Sequence, residues 1–352
     1  MDGGHFEKNS TTLEWFGATT FRLKAKGLTI FLDTWLDKPS CLYNALAVDD
    51  VVEADYIFIS HAHFDHLPGA DRLALKTGAV VVGNYEAINI LRKAGVPDEL
   101  LQPVSGGERI PLFTRDVRDR AARGGGKLLS GPPGAPHQPD PSLAVCSVQV
   151  WPSLHCLMPG SHADIPEVMD TGRVFTGAAH PYLCTINLNL GMRYGLLKVG
   201  ERVPPESRDD KLQSFIEYVT DNHRNVFSAY DGGQLMYNFL IDDKKTLLWN
   251  AHLGAYEGIM RGLEPKPDVA ILGIAGRGNI NGRPFDGSAA QFALKEVRWL
   301  DEPRSIIWCL HDESPIKPYR IDTEAATAMV EENSASHLTH LTYGRPFHLF
   351  GP

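Results

Sequence analysis

The stretch "YIFISHAHFDHLPGA", residues 56–70, sets three histidines and an aspartate directly behind a short apolar run. "DYIFIS" (55–60) reads as a buried strand, so the polar cluster begins where a strand would end. Side chains alternate along an extended segment, which sends His61 and His63 to one side, toward a single cation. Asp65 and His66 lie where the chain turns away and can address a second position. Imidazole and carboxylate donors suit Zn2+, with Mn2+ or Fe also compatible, in one or two ions. In a chain of 352 residues with 14 histidines, H-x-H-x-D-H arises by chance on the order of once in a thousand such chains.

Outward from that cluster the chain has the pattern of a layered protein. Hydrophobic content of 43% and charged content of 22% belong to a globular chain. A net charge of −9 without a concentrated basic face argues against a nucleic-acid partner. The polar N-terminus lacks an apolar core for a signal peptide, and no run approaches the roughly 18 apolar residues of a membrane span. Five scattered cysteines without C-x-x-C spacing read as reduced thiols, so the expected compartment is the cytoplasm. The partner expected is a small-molecule substrate, with a homo-oligomer left open.

"TFRLKA" alternates, "KG" supplies a turn, and "LTIFLD" runs apolar to Asp33. "GAVVVG" (78–83) is a further strand, followed by a helix with Asn84 as N-cap and Gly95 as stop. "LAVCSVQVWPSL" (143–154), "NVFSAY" (225–230), "LMYNFLID" (235–242), "KKTLLWNAH" (244–252), "DVAILGI" (268–274) and "RSIIWCLHDE" (304–313) read as strands. "GSAAQFALKEVRWL" (287–300) reads as a helix opened by a capping box of Ser288 and Gln291. Two segments interrupt the pattern: 114–142, with its basic "RDVRDRAARGGGK" taken as a mobile surface loop, and 157–225, with one helix near 211–221. The expectation is one α/β domain over 1–352 with two insertions, the second a cap over a site.

The motif and its setting resemble the metallo-β-lactamase superfamily, whose signature is H-x-H-x-D-H after a buried strand. The opening "WFGATTFRLKAKGLTIFLDTWLD" is similar to the branch of ascorbate-6-phosphate lactonases and N-acylphosphatidylethanolamine phospholipase D. There, "G-H-[AS]" precedes "[LI]-x-D-P-W"; here Gly17-Ala18-Thr19 and Asp33-Thr34-Trp35 match in part. The resemblance implies an αββα sandwich. It implies His155, after "VQVWPSL", as the third ligand of the His61–His63 position, and His311, after "IIWCL", as a partner of Asp65 and His66. Where the family carries a bridging aspartate, this chain has "NAHLG", so His252 takes that place, with Asn250 two residues earlier. An imidazole has one free lone pair and cannot bridge two cations as a carboxylate does. His252 is therefore read either as a ligand or as a proton shuttle.

Asp33 and Asn250 are candidates for holding the ligands in place. Tyr194, Arg193, Trp151 and Tyr319 are candidates for substrate contact; Cys156 is read as a small buried residue. The implied function is a hydrolase that uses a metal-bound hydroxide on a lactone or ester, with Asp65 or His252 handling the leaving-group proton. Two alternatives stand beside it: a phosphodiesterase for a lipid-like substrate, and a non-hydrolytic oxidase or lyase suggested by the altered bridging position.

Overall fold

The structure, a computed structural model, describes residues 10–158, 165–177 and 188–351. β1 (Thr12–Trp15), β2 (Phe21–Ala25) and β3 (Leu28–Leu32) form an antiparallel meander. Lys26 and Gly27 join β2 to β3 with φ of +51° and +77°, the paired positive values that a two-residue hairpin turn needs. β4 (Tyr56–Phe58), β5 (Val80–Gly83) and β6 (Leu101–Pro103) then add in parallel to β3. Phe347–His348 pairs with β1 and closes a seven-stranded sheet.

β7 (Arg109–Leu112) and β8 (Cys146–Pro152) open a second seven-stranded sheet. It continues through Leu235–Asp242, Lys245–Asn250, Val269–Gly273, Ser305–Cys309 and His337–Leu338, the last four mutually parallel. Alternation along each strand decides the layers. In Lys245–Asn250, Leu247 and Trp249 enter the core between the sheets while Leu248 enters the core outside. In β4, Tyr56 and Phe58 face inward and Ile57 outward. Phe58 packs edge-on to Tyr237 and Phe239 at 5.1 and 5.0 Å, each such pair worth about 0.5–1.5 kcal/mol beyond burial.

Helices cover both outer faces. Ala70–Thr77 and Tyr85–Lys93 pack Leu73, Ile88 and Leu91 over Phe31, Ile57 and Val81. Ala289–Trp299 and Glu324–Asn333 pack Phe292, Val297 and Val330 over Leu272, Ile306 and Trp308. The arrangement is the expected αββα sandwich. Asn84 accepts from Ala87 N–H at 2.9 Å, and Ser288 and Gln291 close their capping box at 2.9 and 3.1 Å.

Three local expectations change. "RDVRDRAA" folds as a helix, Arg115–Ala122, because Arg115 donates to Ala54 O and Arg118 pairs with Asp55, which fixes it to the end of the sheet. "NVFSAY" is not a strand: Ser228 N–H bonds Ala62 O, and Asn225 Nδ2 bonds Tyr218 O, so this backbone serves the histidine loop instead. The 157–225 segment holds more than one helix: Leu188–Tyr194, Val199–Arg202 and Asp210–Thr220. The last matches the expected helix, with Asp209 capping Leu212 N–H at 2.7 Å. Its Phe215, Tyr218 and Val219 pack on Trp35 and Phe64. Among the described residues no helix is long and apolar enough to cross a membrane.

Candidate metal centre

Asp33 directly follows β3 and is fully buried at φ +48°, a conformation costing a non-glycine residue about 1–2 kcal/mol. Its carboxylate offsets that cost. Oδ1 accepts from Ser60 N–H at 2.8 Å, and Oδ2 accepts from Thr19 Oγ1 and Ser60 Oγ at 2.7 and 2.8 Å. His66 Nδ1–H donates to the same Oδ2 at 2.7 Å. That bond fixes the His66 tautomer and leaves Nε2 free, 3.4 Å from Asp65 Oδ1. Ser60 gives its proton to Asp33, so its oxygen accepts from His61 Nδ1–H at 3.1 Å. One carboxylate thereby sets the rings of both His61 and His66.

Residues 62–69 are bends and turns, not an extended segment. His61 and His63 meet because the chain coils, with Leu67 N–H bonded to His63 O at 3.1 Å. His61 Nε2 and His63 Nδ1 lie 3.0 Å apart, close to the roughly 3.3 Å between two nitrogens on one tetrahedral Zn2+. His155 follows β8 and stands 5.1 and 5.2 Å from these rings. Its Nδ1–H donates to Cys156 O at 2.8 Å, and Asn279 Nδ2 holds its own carbonyl at 2.9 Å. His252, two residues past the strand Lys245–Asn250, stacks on His155 at 3.7 Å and lies 4.9 and 5.2 Å from His61 and His66.

Three donor groups result, each with its atoms within 4.8 Å of one another: His61, His63, His155; His61, His66, His252; and His155, Cys156, His252. Burial pushes His61, His63 and His252 well below the usual imidazole value and lowers His155, so these rings are neutral with lone pairs to offer. For His66 burial also acts downward, but Asp65 and Asp33 outweigh it and raise the ring to about 10. A cation bound at His66 would have to displace that proton. For Asp65 burial acts upward and is outweighed by His66 and His63, which keep it a carboxylate. The residues fit a cation on a second ground. His63 Nε2, His66 Nε2 and both nitrogens of His252 are buried without a hydrogen-bond partner, each a cost of about 1–3 kcal/mol that a ligand would remove.

The structure does not bring His311 into these groups. Leu310 turns the chain at φ +60° and donates to Ala18 O at 3.0 Å, while Asp312 accepts from Ala18 N–H at 2.7 Å. The His311 ring is left stacked on Trp15 at 4.9 Å. Asn250 links the two later loops: its Oδ1 accepts from Ser153 Oγ at 2.7 Å, and its Nδ2 donates to Gly254 O and to Glu296 at 3.1 and 3.3 Å. Arg193 donates to Tyr230 at 2.5 Å, beside Asp231, whose carbonyl accepts from Ala62 N–H in the histidine loop. Tyr194 is exposed under the Arg193 guanidinium. Trp151 instead packs against the outer core of the second sheet, its side chain facing Gln149. Tyr319 lies under Lys211 and reaches Asp209, at the joint of the insertion. Among the described residues, His137, His223, His337, His340 and His348 join none of the groups; His5, His162, His180 and Tyr182 lie outside the described residues.

Sequence reasoning missed Thr19, Ser60 and Glu296, and read Cys156 as packing alone. Thr19 stood in the partial "GATTF" match, which is a usable signal. Glu296 occupies the buried face of a helix and nothing local marks it.

A sequence model described as the metallo-beta-lactamase superfamily matches residues 45–229. A UPF0173 metal-dependent hydrolase of Pyrobaculum islandicum is 32% identical over 102 residues, 28% of this chain and 44% of that protein. One from Anaeromyxobacter sp. (strain K) is 34% identical over 93 residues, 26% and 34% respectively. The chain thus spans less than half the length of these curated relatives. Among solved structures, the metallo hydrolase Igni18 from Ignicoccus hospitalis superposes with a TM-score of 0.53 at 16% identity, over 96% of this chain and 98% of that one. That is a likeness of fold.

Proposed function

The chain belongs to the metallo-β-lactamase superfamily, and on that premise we propose that it is a metal-dependent hydrolase of a small-molecule lactone or ester. The observation that carries this is the cluster of five histidines in which nitrogens of His63, His66 and His252 are buried without a protein partner. We assign His61, His63 and His155 to one Zn2+, and Asp65, His66 and His252 to a second. Bound there, the cation supplies an activated water at neutral pH and polarises the carbonyl under attack.

The remaining work falls to the chain. Asp33 holds the His66 ring directly and the His61 ring through Ser60. Asp65, a partly exposed carboxylate beside His66, receives the proton and returns it to the leaving oxygen. Asn250 steadies the turn that carries His252. Arg193, hydrogen-bonded to Tyr230 near the histidine loop, binds the substrate's carbonyl or a carboxylate on it. Trp35, Phe64, Phe215 and Tyr218 form an apolar wall that limits water at the side of Phe64.

A second reading is favoured by one observation. Three of the donors grouped with His252, those of His61, His66 and His155, are imidazoles, and no aspartate stands at its position to bridge two ions, a set that also suits iron in a non-hydrolytic oxidase. Reconstituting metal-free protein with Zn2+, Mn2+ or Fe2+ and offering lactones, aryl esters and phosphodiesters separates these. Ester or lactone turnover, abolished by chelator and restored by Zn2+, is the expected result. Turnover of phosphodiesters alone replaces the substrate class, and no turnover at full loading replaces hydrolysis by the oxidase reading.

A further inference from the structure

The third donor group adds a thiol that has no counterpart in the H-x-H-x-D-H pattern or among the strand-end histidines. Cys156 directly follows His155 and is 3% exposed. Its Sγ lies 3.8 Å from His155 Nδ1, and Sγ, one His155 nitrogen and one His252 nitrogen all fall within 4.8 Å. Sulfur at about 2.3 Å and nitrogen at about 2.05 Å on a tetrahedral ion stand about 3.6 Å apart, so little movement is needed.

Two further features point the same way. His252 is buried and neither of its nitrogens has a partner, so its one lone pair is free to serve this group in place of His61 and His66. The backbone next to the thiol is held in place: Leu157 and Arg277 exchange hydrogen bonds at 2.9 and 2.6 Å. Gly276 lies against it, and a Cβ there would sit 3.1 Å from Sγ. A core cysteine chosen for packing alone needs none of these donors around it.

We propose that Cys156 is a metal ligand, forming with His155 and His252 a soft two-nitrogen, one-sulfur position beside the all-imidazole position of His61, His63 and His155. This rests on reading the histidine cluster as a metal centre. Binding forms the metal–sulfur bond and releases the thiol proton to solvent. If His155 uses Nδ1, that proton is released too and its bond to Cys156 O is given up. Thiolate with imidazole takes Zn2+, Co2+ or Cu+ in preference to Mn2+ or Mg2+.

The test is to load metal-free full-length protein with Co2+ alone and record its absorption spectrum. Expected is a thiolate-to-cobalt charge-transfer band in the near ultraviolet, alongside visible d–d bands. Cys156→Ser should lose the charge-transfer band and roughly one equivalent of Co2+, while keeping d–d bands from the remaining sites. His61→Ala should keep the charge-transfer band. Thermal unfolding of Cys156→Ser and Cys156→Ala checks that both are folded. A spectrum with d–d bands only, or a charge-transfer band that survives in both variants, overturns the proposal and leaves the metal centre standing. Failure to bind Co2+ at all overturns the metal-centre reading, and this one with it.

Discussion

His66 and His311 leave their elements at the same edge of the sandwich, and the family pattern pairs them on one cation, yet the structure treats them differently. His66 is buried between Asp33 and Asp65, with Thr19 and Ser60 completing the cage around Nδ1. His311 lies flat on Trp15, next to Tyr343, and its neighbours Leu310 and Asp312 are engaged with Ala18. A histidine at a strand end becomes a ligand only when the backbone releases it and a further group fixes its ring. The first end of the molecule has such a group in Asp33. The second commits the Leu310 N–H and the Asp312 carboxylate to the 16–20 turn and leaves His311 Nδ1 buried without a partner.

The sharpest way to break this contrast is to remove a ring on each side. His63→Ala should reduce metal affinity by more than the roughly 100-fold that loss of an outer partner costs, measured by competition with a chromophoric chelator. Unchanged affinity would dissolve the assigned centre. Asp33→Asn should keep the backbone, since Asn tolerates positive φ, yet lower affinity by about 10- to 100-fold because it cannot accept all four donors. Equal metal content and affinity in that variant would show that the Asp33 cage is only structural.

The His311 end should respond in stability, not in metal. Lys38 there is buried, donates to Phe16 O at 2.7 Å and to Tyr343 at 2.6 Å, and lies near Asp312. Burial lowers its ammonium to about 8, against the partial opposition of Asp312. The folded state therefore binds fewer protons than the unfolded chain between pH 8 and 10.5. Stability relative to Lys38→Met should rise with pH across that window, by up to about 1.4 kcal/mol per unit. Urea unfolding of both proteins at pH 7.5, 8.5 and 9.5 measures it, and parallel curves would refute the buried charge. Smallest of all, His311→Ala should cost about 0.5–1.5 kcal/mol of stability through the lost stacking on Trp15. Its metal content should equal that of the wild type by elemental analysis; loss of one equivalent would return His311 to the centre.

Much of this was legible in the chain. The alternation of "KKTLLWNAH" and the apolar "DYIFIS" marked strands covered on both faces, and "SAAQ" marked a capping box, because those signals are local. "HAHFDH" marked a metal loop because its density of donors has no other economical use. The basic segment at 115–122 was misread because its helix depends on Ala54 and Asp55, more than 55 residues away. "NVFSAY" was misread because its backbone bonds are made with the histidine loop and not with a neighbouring strand.

The sequence by itself determined the layered fold and the presence of a cation-binding loop, since period, caps and donor spacing act over a few residues. The tertiary structure decided which distant groups stand beside that loop. It set His155 and His252, both expected from the family resemblance, against His61, turned His311 onto Trp15, and set Cys156 beside two imidazoles. Those outcomes depend on where strand ends converge and on which hydrogen bonds compete for each turn, and such competition is settled by packing across the whole sandwich.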